Sequence, residues 1–325
     1  MAQEWCVANV APFEAELAPC ERPQAALSAS QIEGRTLVSL ISPGTEMNWG
    51  YRNGPFPNTQ GYAAILEVER VGEGVQGVRP GDRVFAQGQH RSWQRVEAIE
   101  TRPVPEGLAP EVAVFCRLMG ITMSALTTTA ARPPDGVLVT GLGIVGLLGA
   151  MIFDSTGYRV IGCDPDEARR ARARAKGVAV ALERVPCEDP AFAGQIGLAL
   201  ECSGTEPAAV DACRAVRKGG EMILVGVPWK RTADTPAHDL LHAVFHQYVT
   251  VRSGWEWEVP LQPQEFRRGS IYGNFAAAME WLARGRVDVS GLYEVTSPRR
   301  CQEAYQNLVH HRGEVLTYVF DWSTC

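Results

Sequence analysis

The sequence predicts an α/β protein in which a doubly wound parallel sheet domain is joined to a β-barrel domain. Length supports two domains, because the chain has 325 residues and one domain usually has ~150. The N-terminal region contains short strand-like runs separated by glycine and proline. From residue 117 onward, strand-like and helical segments alternate regularly.

The barrel prediction depends on residues 1–116. Strand-like runs occur at 35–41, 64–71 and 82–85, and glycine-containing turns at 72–74 and 79–81 separate them. Short strands joined by such turns are typical of an all-β barrel.

The parallel sheet prediction depends on the alternation that follows. Apolar strand-like runs are found at 136–140, 158–163, 197–202 and 221–226. One helical pattern begins at Ile144, and two others cover 166–176 and 207–216. Such alternation predicts a parallel sheet with helices on both faces. In the C-terminal tail we predict helices over 275–284 and 299–310 and a last strand at 315–320.

Composition excludes several classes of protein. Hydrophobic residues make up 46% and charged residues 21% of the chain, which excludes disorder and fibrous repeats. The net charge of −6 repels phosphate backbones, so we expect no nucleic-acid partner. The longest apolar stretch, 137–153, contains four glycines and is too short for a membrane span. Nine cysteines without a CxxC pair and no signal-peptide pattern predict a cytoplasmic protein with reduced thiols.

A glycine motif, Gly141-Leu-Gly143-Ile-Val-Gly146, lies between a predicted strand and a predicted helix. Gly141 permits a tight turn, Gly143 lets the backbone approach a pyrophosphate, and Gly146 lets the helix pack closely. The helix N-terminus at Ile144 and Val145 supplies free N–H groups to the phosphates. This context predicts a dinucleotide-binding site of the Rossmann type.

Asp164 closes the next strand and predicts NAD as the cofactor. A carboxylate at that position accepts hydrogen bonds from the ribose hydroxyls and repels the 2′-phosphate of NADP. Arg169 and Arg170 follow it and would favour NADP if they reached that phosphate, whereas Arg172 and Arg174 indicate a solvated helix face. NAD is therefore favoured over NADP.

The domain order and several segments resemble the medium-chain dehydrogenase/reductase superfamily of alcohol dehydrogenases and quinone reductases. The similar segments are 72–84, 201–204, 218–226 and 278–285. The resemblance implies a Rossmann domain over 117–255 and a GroES-like catalytic domain formed by 1–116 and 256–325. It implies an alcohol dehydrogenase-like oxidoreductase with a small-molecule substrate. It also implies further cofactor contacts from Cys202, Ser203, Gly226 and Val227.

The positions that provide catalytic zinc ligands in that superfamily hold other residues here. Pro43 replaces the first ligand, Tyr62 and Ala63 replace the second, and Cys116-Arg117 occupies the region of the third. The lobe of four cysteines that holds structural zinc is absent from the sequence as well. Since zinc needs three or four well-placed N, S or O ligands, we predict a zinc-free member and no metal site.

Three histidines with helical spacing, His238, His242 and His246, form a separate candidate for metal binding. Two of them could bind a metal ion. No carboxylate or cysteine partner is identifiable from the sequence, so we predict an exposed helix face.

Without zinc, other groups must act on the substrate oxygen. Thr45 occupies the hydroxyl position that relays the substrate proton in the zinc enzymes, and Tyr62 brings a phenol to a ligand position. Tyr51 lies where zinc-free enoyl reductases of the superfamily carry a tyrosine acid, and Glu46 and His90 are titratable groups expected near the cleft. Each has a structural alternative: Tyr62 as core filler, His90 as a loop residue, and Glu46 as a hydrogen-bond partner within its domain.

Three functions stay open at this point. The first is an NAD-dependent, zinc-independent oxidoreductase for a secondary alcohol or its ketone, such as a polyol, cyclitol or sugar-like compound. The second is an NADPH-dependent reductase of activated C=C bonds, and the third is a non-catalytic cofactor-binding relative. Asp164 favours the first over the second, and the polar run 45–53 favours a hydroxylated substrate. The segment 42–46 also resembles bacteriochlorophyllide dehydrogenases, so a large planar alcohol is a less favoured substrate.

Assembly is predicted from the segment 248–253, which reads as a strand that is apolar on one face. An unpaired edge strand is a liability in a protein without a partner. We therefore expect a homodimer, or two dimers stacked as a homotetramer.

Overall fold

The computed structural model describes residues 3–325 and divides into two compact units. The first unit comprises the chain up to Arg117 together with Phe275–Gly285 and Val289–Cys325. The second comprises Leu118–Asn274 and Arg286–Asp288.

The return to the first unit lies at Phe275, which corrects the predicted boundary at 256. The segment before Phe275 stays with the second unit through buried polar contacts. Asn274 Nδ2 donates to Ser124 Oγ over 3.1 Å, and both side chains are buried. The turn and short helical elements after the last strand of the sheet therefore extend this unit beyond the predicted end.

The strands are numbered along the chain. They are β1 (Glu4–Ala11), β2 (Glu14–Cys20), β3 (Gln31–Leu40), β4 (Asn58–Thr59), β5 (Ala64–Val71), β6 (Arg83–Ala86), β7 (Trp93–Glu97), β8 (Thr101–Pro103), β9 (Gly136–Thr140), β10 (Arg159–Cys163), β11 (Val180–Leu182), β12 (Ile196–Glu201), β13 (Glu221–Leu224), β14 (Thr250–Ser253), β15 (Tyr293–Thr296) and β16 (Thr317–Asp321).

The α-helices are α1 (Pro43–Glu46), α2 (Pro110–Ala113), α3 (Cys116–Thr128), α4 (Ile144–Ser155), α5 (Glu167–Ala175), α6 (Glu206–Ala215), α7 (Ala237–Gln247), α8 (Ile271–Ala283) and α9 (Cys301–Val309). A π-helical turn follows α1 over Met47–Tyr51. Short 3₁₀ turns occupy Ala98–Glu100, Glu256–Glu258, Pro298–Arg300 and Trp322–Thr324.

The first unit is built mainly from antiparallel strands. Its larger sheet has the order β15-β16-β3-β5-β6-β8, with β7 also paired to β3, and its smaller sheet has the order β2-β1-β4. One hydrophobic cluster, around Ile32, Leu66 and Val84, packs under β3, β5 and β6. A second, which includes Tyr305 and Phe320, packs α9 against β16 and the π-helical turn that follows α1. The strand-like runs predicted at 35–41, 64–71 and 82–85 overlap β3, β5 and β6.

The second unit has a six-stranded sheet of order β11-β10-β9-β12-β13-β14, and every pairing is parallel. Numbered within this unit, the order is 3-2-1-4-5-6, which is that of a doubly wound dinucleotide-binding sheet. β9 and β12 are buried along their whole length, which explains their unbroken apolar sequences. The chain leaves β9 toward one side of the sheet and β12 toward the other, so a crevice opens at their carboxyl ends.

β14 forms one edge of this parallel sheet and pairs only with β13 among the described strands. It starts at Thr250 because Tyr248 has a left-handed backbone, φ 54°, that ends α7. The predicted edge strand is therefore present but shorter than 248–253.

One helical stretch among the described residues, Pro110–Thr128, is long and apolar enough to cross a membrane. Of its most apolar window, 67% is buried inside the protein, which is the pattern of a core helix.

Candidate active site and cofactor site

The glycine loop connects β9 to α4 at the carboxyl edge of the parallel sheet. A Cβ on Gly146 would lie 1.9 Å from the carbonyl oxygen of Gly141, so α4 packs directly on the turn. Gly141 itself has φ +82°, and a Cβ there would lie 2.8 Å from the Ser203 nitrogen. Gly143 differs, because no atom lies within 4 Å of a Cβ built on it. The space above Gly143 is therefore an open cradle of the kind that a pyrophosphate occupies.

The N-terminus of α4 faces this cradle. Gly143 is its N-cap, and no side chain caps the helix. The first N–H groups of a helix have no partner within it, and the helix dipole adds partial positive charge there. Ile144 and Val145 are the first two residues of the helix, as the sequence predicts. These groups fit the phosphates of a dinucleotide.

A second loop, after β12, is tied to the same edge by Glu201. Its buried carboxylate accepts from Ser203 N at 2.8 Å, from Gly204 N at 3.0 Å and from Thr140 Oγ1 at 3.3 Å. Burial raises the pKa of Glu201 above its ordinary value, and these hydrogen bonds oppose that effect. Because Thr140 ends β9, the carboxylate joins the ends of β9 and β12.

The remaining predicted cofactor residues flank this loop. A Cβ on Gly226 would lie 2.4 Å from the Gly204 nitrogen, so the chain after β13 also approaches closely. Cys202 is partly exposed, Ser203 is exposed, and Val227 is 51% exposed. They therefore lie beside the edge that carries the glycine loop. Sequence reasoning missed Glu201, since a glutamate at the end of an apolar strand gives no local sign of the donors that its carboxylate binds.

Asp164 is attached to the glycine loop rather than free in solvent. It is 2% exposed, and its Oδ2 accepts from Leu142 N at 2.8 Å while Oδ1 accepts from Asp166 N at 2.9 Å. Arg169 Nη1 lies 3.4 Å from the same Oδ2. Arg170 instead donates to the carbonyl oxygen of Asp164 over 2.7 Å. The carboxylate and Arg169 thus form one polar group beside the loop.

In the first unit, three hydroxyls meet where β3 passes into α1. Ser42 is the N-cap of α1, and Thr45 lies within the helix. The Tyr62 hydroxyl donates to Ser42 Oγ in a short hydrogen bond and lies 3.3 Å from Thr45 Oγ1. We refer to Ser42, Thr45 and Tyr62 as the hydroxyl cluster. Two predicted catalytic residues, Thr45 and Tyr62, therefore lie together, and Ser42, which was not predicted, lies with them.

Tyr62 is held as a neutral phenol. Burial raises its pKa above the ordinary value, and the nearby Arg117 and the hydrogen bonds to Ser42 and Thr45 only partly oppose this effect. At neutral pH the O–H proton is therefore present and can be donated. The guanidinium carbon of Arg117 lies 4.6 Å from the centre of the Tyr62 ring. The sequence places this arginine in the region of the third zinc ligand, but its position alone predicts no role for it.

Glu46 and His90, two of the predicted catalytic groups, form a closed hydrogen-bond network with each other. His90 Nε2 lies 2.9 Å from Glu46 Oε2, and both side chains are almost fully buried, at 0% and 1% exposed. Tyr305 donates to the same oxygen over 3.0 Å, and Ser42 N donates to Oε1 over 2.7 Å. His90 Nδ1 lies 2.8 Å from Ser39 Oγ. The structure supports the alternative that Glu46 is a hydrogen-bond partner within its domain.

Tyr51, another predicted catalytic residue, does not join the hydroxyl cluster. It is 0% exposed, and its hydroxyl donates to the carbonyl oxygen of Phe13 over 2.7 Å. Gln306 Nε2 donates to that hydroxyl over 2.7 Å. The π-helical turn points this phenol toward α9 and the core, so its hydroxyl is engaged there.

The side chains around the hydroxyl cluster are not of the types that coordinate zinc in proteins. The nearby groups are three hydroxyls and the permanently charged guanidinium of Arg117, whereas zinc takes thiolate, imidazole and carboxylate. Cys116 is fully buried, and burial raises the pKa of its thiol well above the usual value. Glu46 and His90, which carry ligand types that zinc accepts, are hydrogen-bonded to each other. Within residues 3–325, no group of three or more His, Cys, Asp or Glu side chains is arranged to hold a metal ion.

The three spaced histidines lie on α7 as predicted, on an exposed helix face. The ring centres of His238 and His242 are 5.9 Å apart, and those of His242 and His246 are 4.2 Å apart. All three are exposed.

The known proteins that this chain is similar to are named as dehydrogenases. A family model described as zinc-binding dehydrogenase matches residues 145–261. The L-threonine 3-dehydrogenase of Pyrococcus horikoshii is 26% identical over 272 residues, which cover 69% of this chain and 77% of that protein. The sorbitol dehydrogenase of Halalkalibacterium halodurans is 26% identical over 210 residues, covering 53% of this chain and 61% of that protein.

A solved structure extends the similarity to the whole fold. The crystal structure of galactitol-1-phosphate dehydrogenase from Escherichia coli matches with a TM-score of 0.82 at 15% identity, over 98% of this chain and 99% of that chain. The chain belongs to the medium-chain dehydrogenase/reductase superfamily. For this superfamily member, the predicted two-domain α/β fold class is confirmed. The predicted class of enzyme, an NAD(P)-dependent oxidoreductase, is confirmed too.

Proposed function

We propose that the protein is a zinc-independent, NAD-dependent oxidoreductase that transfers hydride between the nicotinamide and a secondary alcohol or its ketone. The hydroxyl cluster is the observation that carries this proposal. It gathers three hydroxyls, with a cation beside them, in the segments where the zinc members of the superfamily bind their metal.

The chemistry requires a donor for the substrate oxygen. NAD(H), when bound, supplies or accepts the hydride. As hydride reaches a carbonyl carbon, negative charge develops on the carbonyl oxygen, which must be stabilised and then protonated. With substrate bound, the Tyr62 O–H turns from Ser42 to that oxygen and donates its proton, since its raised pKa keeps the phenol protonated; Ser42 and Thr45 can then donate to the phenol oxygen. Oxidation of an alcohol uses the same groups in reverse.

The proton that leaves Tyr62 must be replaced. Ser42 accepts the Tyr62 hydrogen bond and is buried, whereas Thr45 is partly exposed. Thr45 therefore connects the phenol to solvent, and this is the relay role expected of it.

NAD is favoured over NADP by the carboxylate of Asp164 beside the open cradle at Gly143. Its negative charge repels a 2′-phosphate and its oxygens accept from ribose hydroxyls. The position of Arg169 favours NADP instead, because its Nη1 lies only 3.4 Å from Asp164 Oδ2. A preference for NADPH would support the second function, reduction of an activated C=C bond with Tyr62 as the acid.

A polyol or sugar-like alcohol is the proposed substrate class. Two of the relatives reported above are named for sorbitol and for galactitol 1-phosphate. Asn48 and Arg52 are partly exposed and Asn53 is exposed, and such polar side chains would suit a hydroxylated compound.

The test is a turnover screen with NAD and NADP against sugar alcohols, cyclitols, simple secondary alcohols and their ketones. On any substrate found, Tyr62→Phe should lower kcat by about 10²-fold, the usual contribution of a general acid. Thr45→Val should lower it less, and neither should alter NAD affinity. Tyr51→Phe is the matched control, because it removes a phenol hydroxyl from the same unit without touching the cluster.

Two results would refute the proposal. One is full turnover by Tyr62→Phe. The other is stoichiometric zinc in the purified protein, with loss of turnover on chelation.

A further inference from the structure

Two free cysteines, Cys6 and Cys20, lie next to each other on adjacent strands of the smaller sheet. β1 and β2 pair antiparallel, with Cys6 opposite Ala18 and Cys20 opposite Glu4. Side chains two residues apart on a strand point to the same face of the sheet, so Cys20 shares the face of Ala18 and Cys6. The two cysteines are therefore diagonal neighbours, close enough for their side chains to interact.

Arg91 lies on the other side of Cys6. An isolated antiparallel bridge joins these two residues, and beside it Val7 N donates to the carbonyl oxygen of His90 over 2.9 Å. The guanidinium carbon of Arg91 lies 4.2 Å from the centre of the Trp93 ring, and this stacking holds the side chain in place. Because directly opposed residues share a face of the sheet, a positive charge lies beside the thiol pair.

These neighbours favour ionisation of one thiol and oppose that of the other. A hydrogen bond with Cys20 lowers the pKa of Cys6 to about 7, which burial opposes and the charge of Arg91 supports. The same hydrogen bond and burial raise the pKa of Cys20, and the carboxylate of Glu4 adds to the increase. At neutral pH, Cys6 is therefore thiolate to a large extent, whereas Cys20 keeps its proton.

The cysteines outside this pair have the opposite character. Burial raises the pKa of every one of them, so they remain thiols at neutral pH. They are Cys116, Cys163, Cys187, Cys202, Cys213, Cys301 and Cys325. Since the thiolate is the form that attacks an oxidant, Cys6 should be the first cysteine of the chain to react.

We propose that Cys6 and Cys20 form an oxidation site at which a hydroperoxide joins the two sulfurs as a disulfide. In the first step the Cys6 sulfur attacks one oxygen of hydrogen peroxide, the O–O bond breaks, and Cys6 sulfenic acid and hydroxide form. The hydroxide takes a proton from solvent and becomes water. In the second step the Cys20 sulfur attacks the Cys6 sulfur, the S–O bond breaks, and the hydroxyl leaves as water with the Cys20 proton. Two electrons thus pass from the sulfurs to the peroxide.

The end of β2 can move far enough for this bond to form. Diagonal neighbours have Cα atoms about 7–8 Å apart and a disulfide takes about 5.5–6 Å, so Cys20 must approach by about 2 Å. Cys20 is the last residue of β2, and β2 pairs only with β1 among the described strands. No second strand therefore resists the shift. Cys20 is also partly exposed, which gives a small peroxide access to Cys6, itself 8% exposed.

The site can be tested on the whole protein without substrate or cofactor, because no step involves the hydroxyl cluster or NAD. The reduced protein is treated with equimolar hydrogen peroxide at neutral pH, and the remaining thiols are alkylated. A protease that cleaves after glutamate then separates the two cysteines, since Glu14 and Glu16 lie between them. The expected product is a linked pair of peptides, lighter by two hydrogens than the separate thiol peptides, which dithiothreitol separates.

Three variants test the order of events. Cys20→Ser should accumulate sulfenic acid on Cys6, detected as a dimedone adduct, and Cys6→Ser should leave Cys20 unmodified. Cys187→Ser is the matched control, because Cys187 is also a free and partly exposed cysteine, and it should form the linked pair at the native rate. In the native protein we expect Cys6 to react about tenfold faster than any cysteine outside the pair.

Three results would overturn the inference. One is oxidation that falls first on a cysteine outside the pair. Another is a Cys20→Ser protein, folded by circular dichroism, in which Cys6 gives no dimedone adduct. The third is a native protein whose Cys6 stays a sulfenic acid without becoming linked, since Cys20 would then take no part.

Discussion

Replacement of Glu46 by leucine should strongly destabilise the first unit while the second remains folded. The carboxylate of Glu46 is the acceptor for Ser42 N, for Tyr305 Oη and for Nε2 of His90. Because a carboxylate only accepts hydrogen bonds, the contact with His90 assigns a proton to its Nε2. Leucine would leave all three donors buried without a partner.

The magnitude follows from the number of orphaned donors. An unsatisfied buried donor costs about 1–3 kcal/mol, so three of them, partly relieved by local adjustment, should cost about 4 kcal/mol. That is a large part of the 5–15 kcal/mol that usually stabilises a domain. Glu46→Gln should cost only about 1–2 kcal/mol, because its carbonyl oxygen can accept from Ser42 N and its amide can donate toward His90 and Tyr305.

The assay is urea unfolding followed by circular dichroism and tryptophan fluorescence, with NAD binding as a separate report on the second unit. Two transitions are expected, and only the one of the first unit should move to lower urea. A Glu46→Leu variant within about 0.5 kcal/mol of the native protein would refute this account of the network. Retained stability in Glu46→Gln combined with a loss of turnover beyond 10²-fold would restore Glu46 to the catalytic groups.

The remaining predictions concern the cofactor, the metal and the assembly. Gly143→Ala should keep the melting temperature and weaken NAD binding at least tenfold, as measured by calorimetry. Gly146→Ala should instead lower the melting temperature, because its Cβ would lie 1.9 Å from the Gly141 oxygen. Equal NAD affinity in Gly143→Ala and the native protein would contradict the assignment of the space above Gly143 to the pyrophosphate. Asp164→Asn should weaken NAD and relax discrimination against NADP, and a native preference of tenfold or more for NADPH would show that Arg169 dominates. Elemental analysis should find well under one zinc per chain, and chelators should leave activity intact. Light scattering at micromolar concentration should give at least a dimeric mass, and a monomeric mass would count against pairing through β14.

The sequence by itself determined the features that depend on local spacing. The glycine motif, the apolar strand before it and the helix after it are contiguous, so their pattern predicts β9, the turn and α4 directly. Asp164 follows for the same reason, since it ends the next strand of one βαβ unit. Several strand and helix ends moved by a residue or two, because capping and register set them. Asp166, for example, caps α5 by accepting from Ala168 N.

Only the tertiary structure decided which side chains of the first unit act together. Thr45 and Glu46 are adjacent in sequence, yet one joins the hydroxyl cluster and the other is buried against His90 and Tyr305. Glu46 is 44 residues from His90 and 259 residues from Tyr305, so no local pattern could pair them. A buried polar group must find partners wherever the folded chain provides them, and sequence spacing does not encode those partners. Glu46 and His90 have the residue types and positions of catalytic groups. The packing of β3, α1 and α9 instead joins them in a buried hydrogen-bond network.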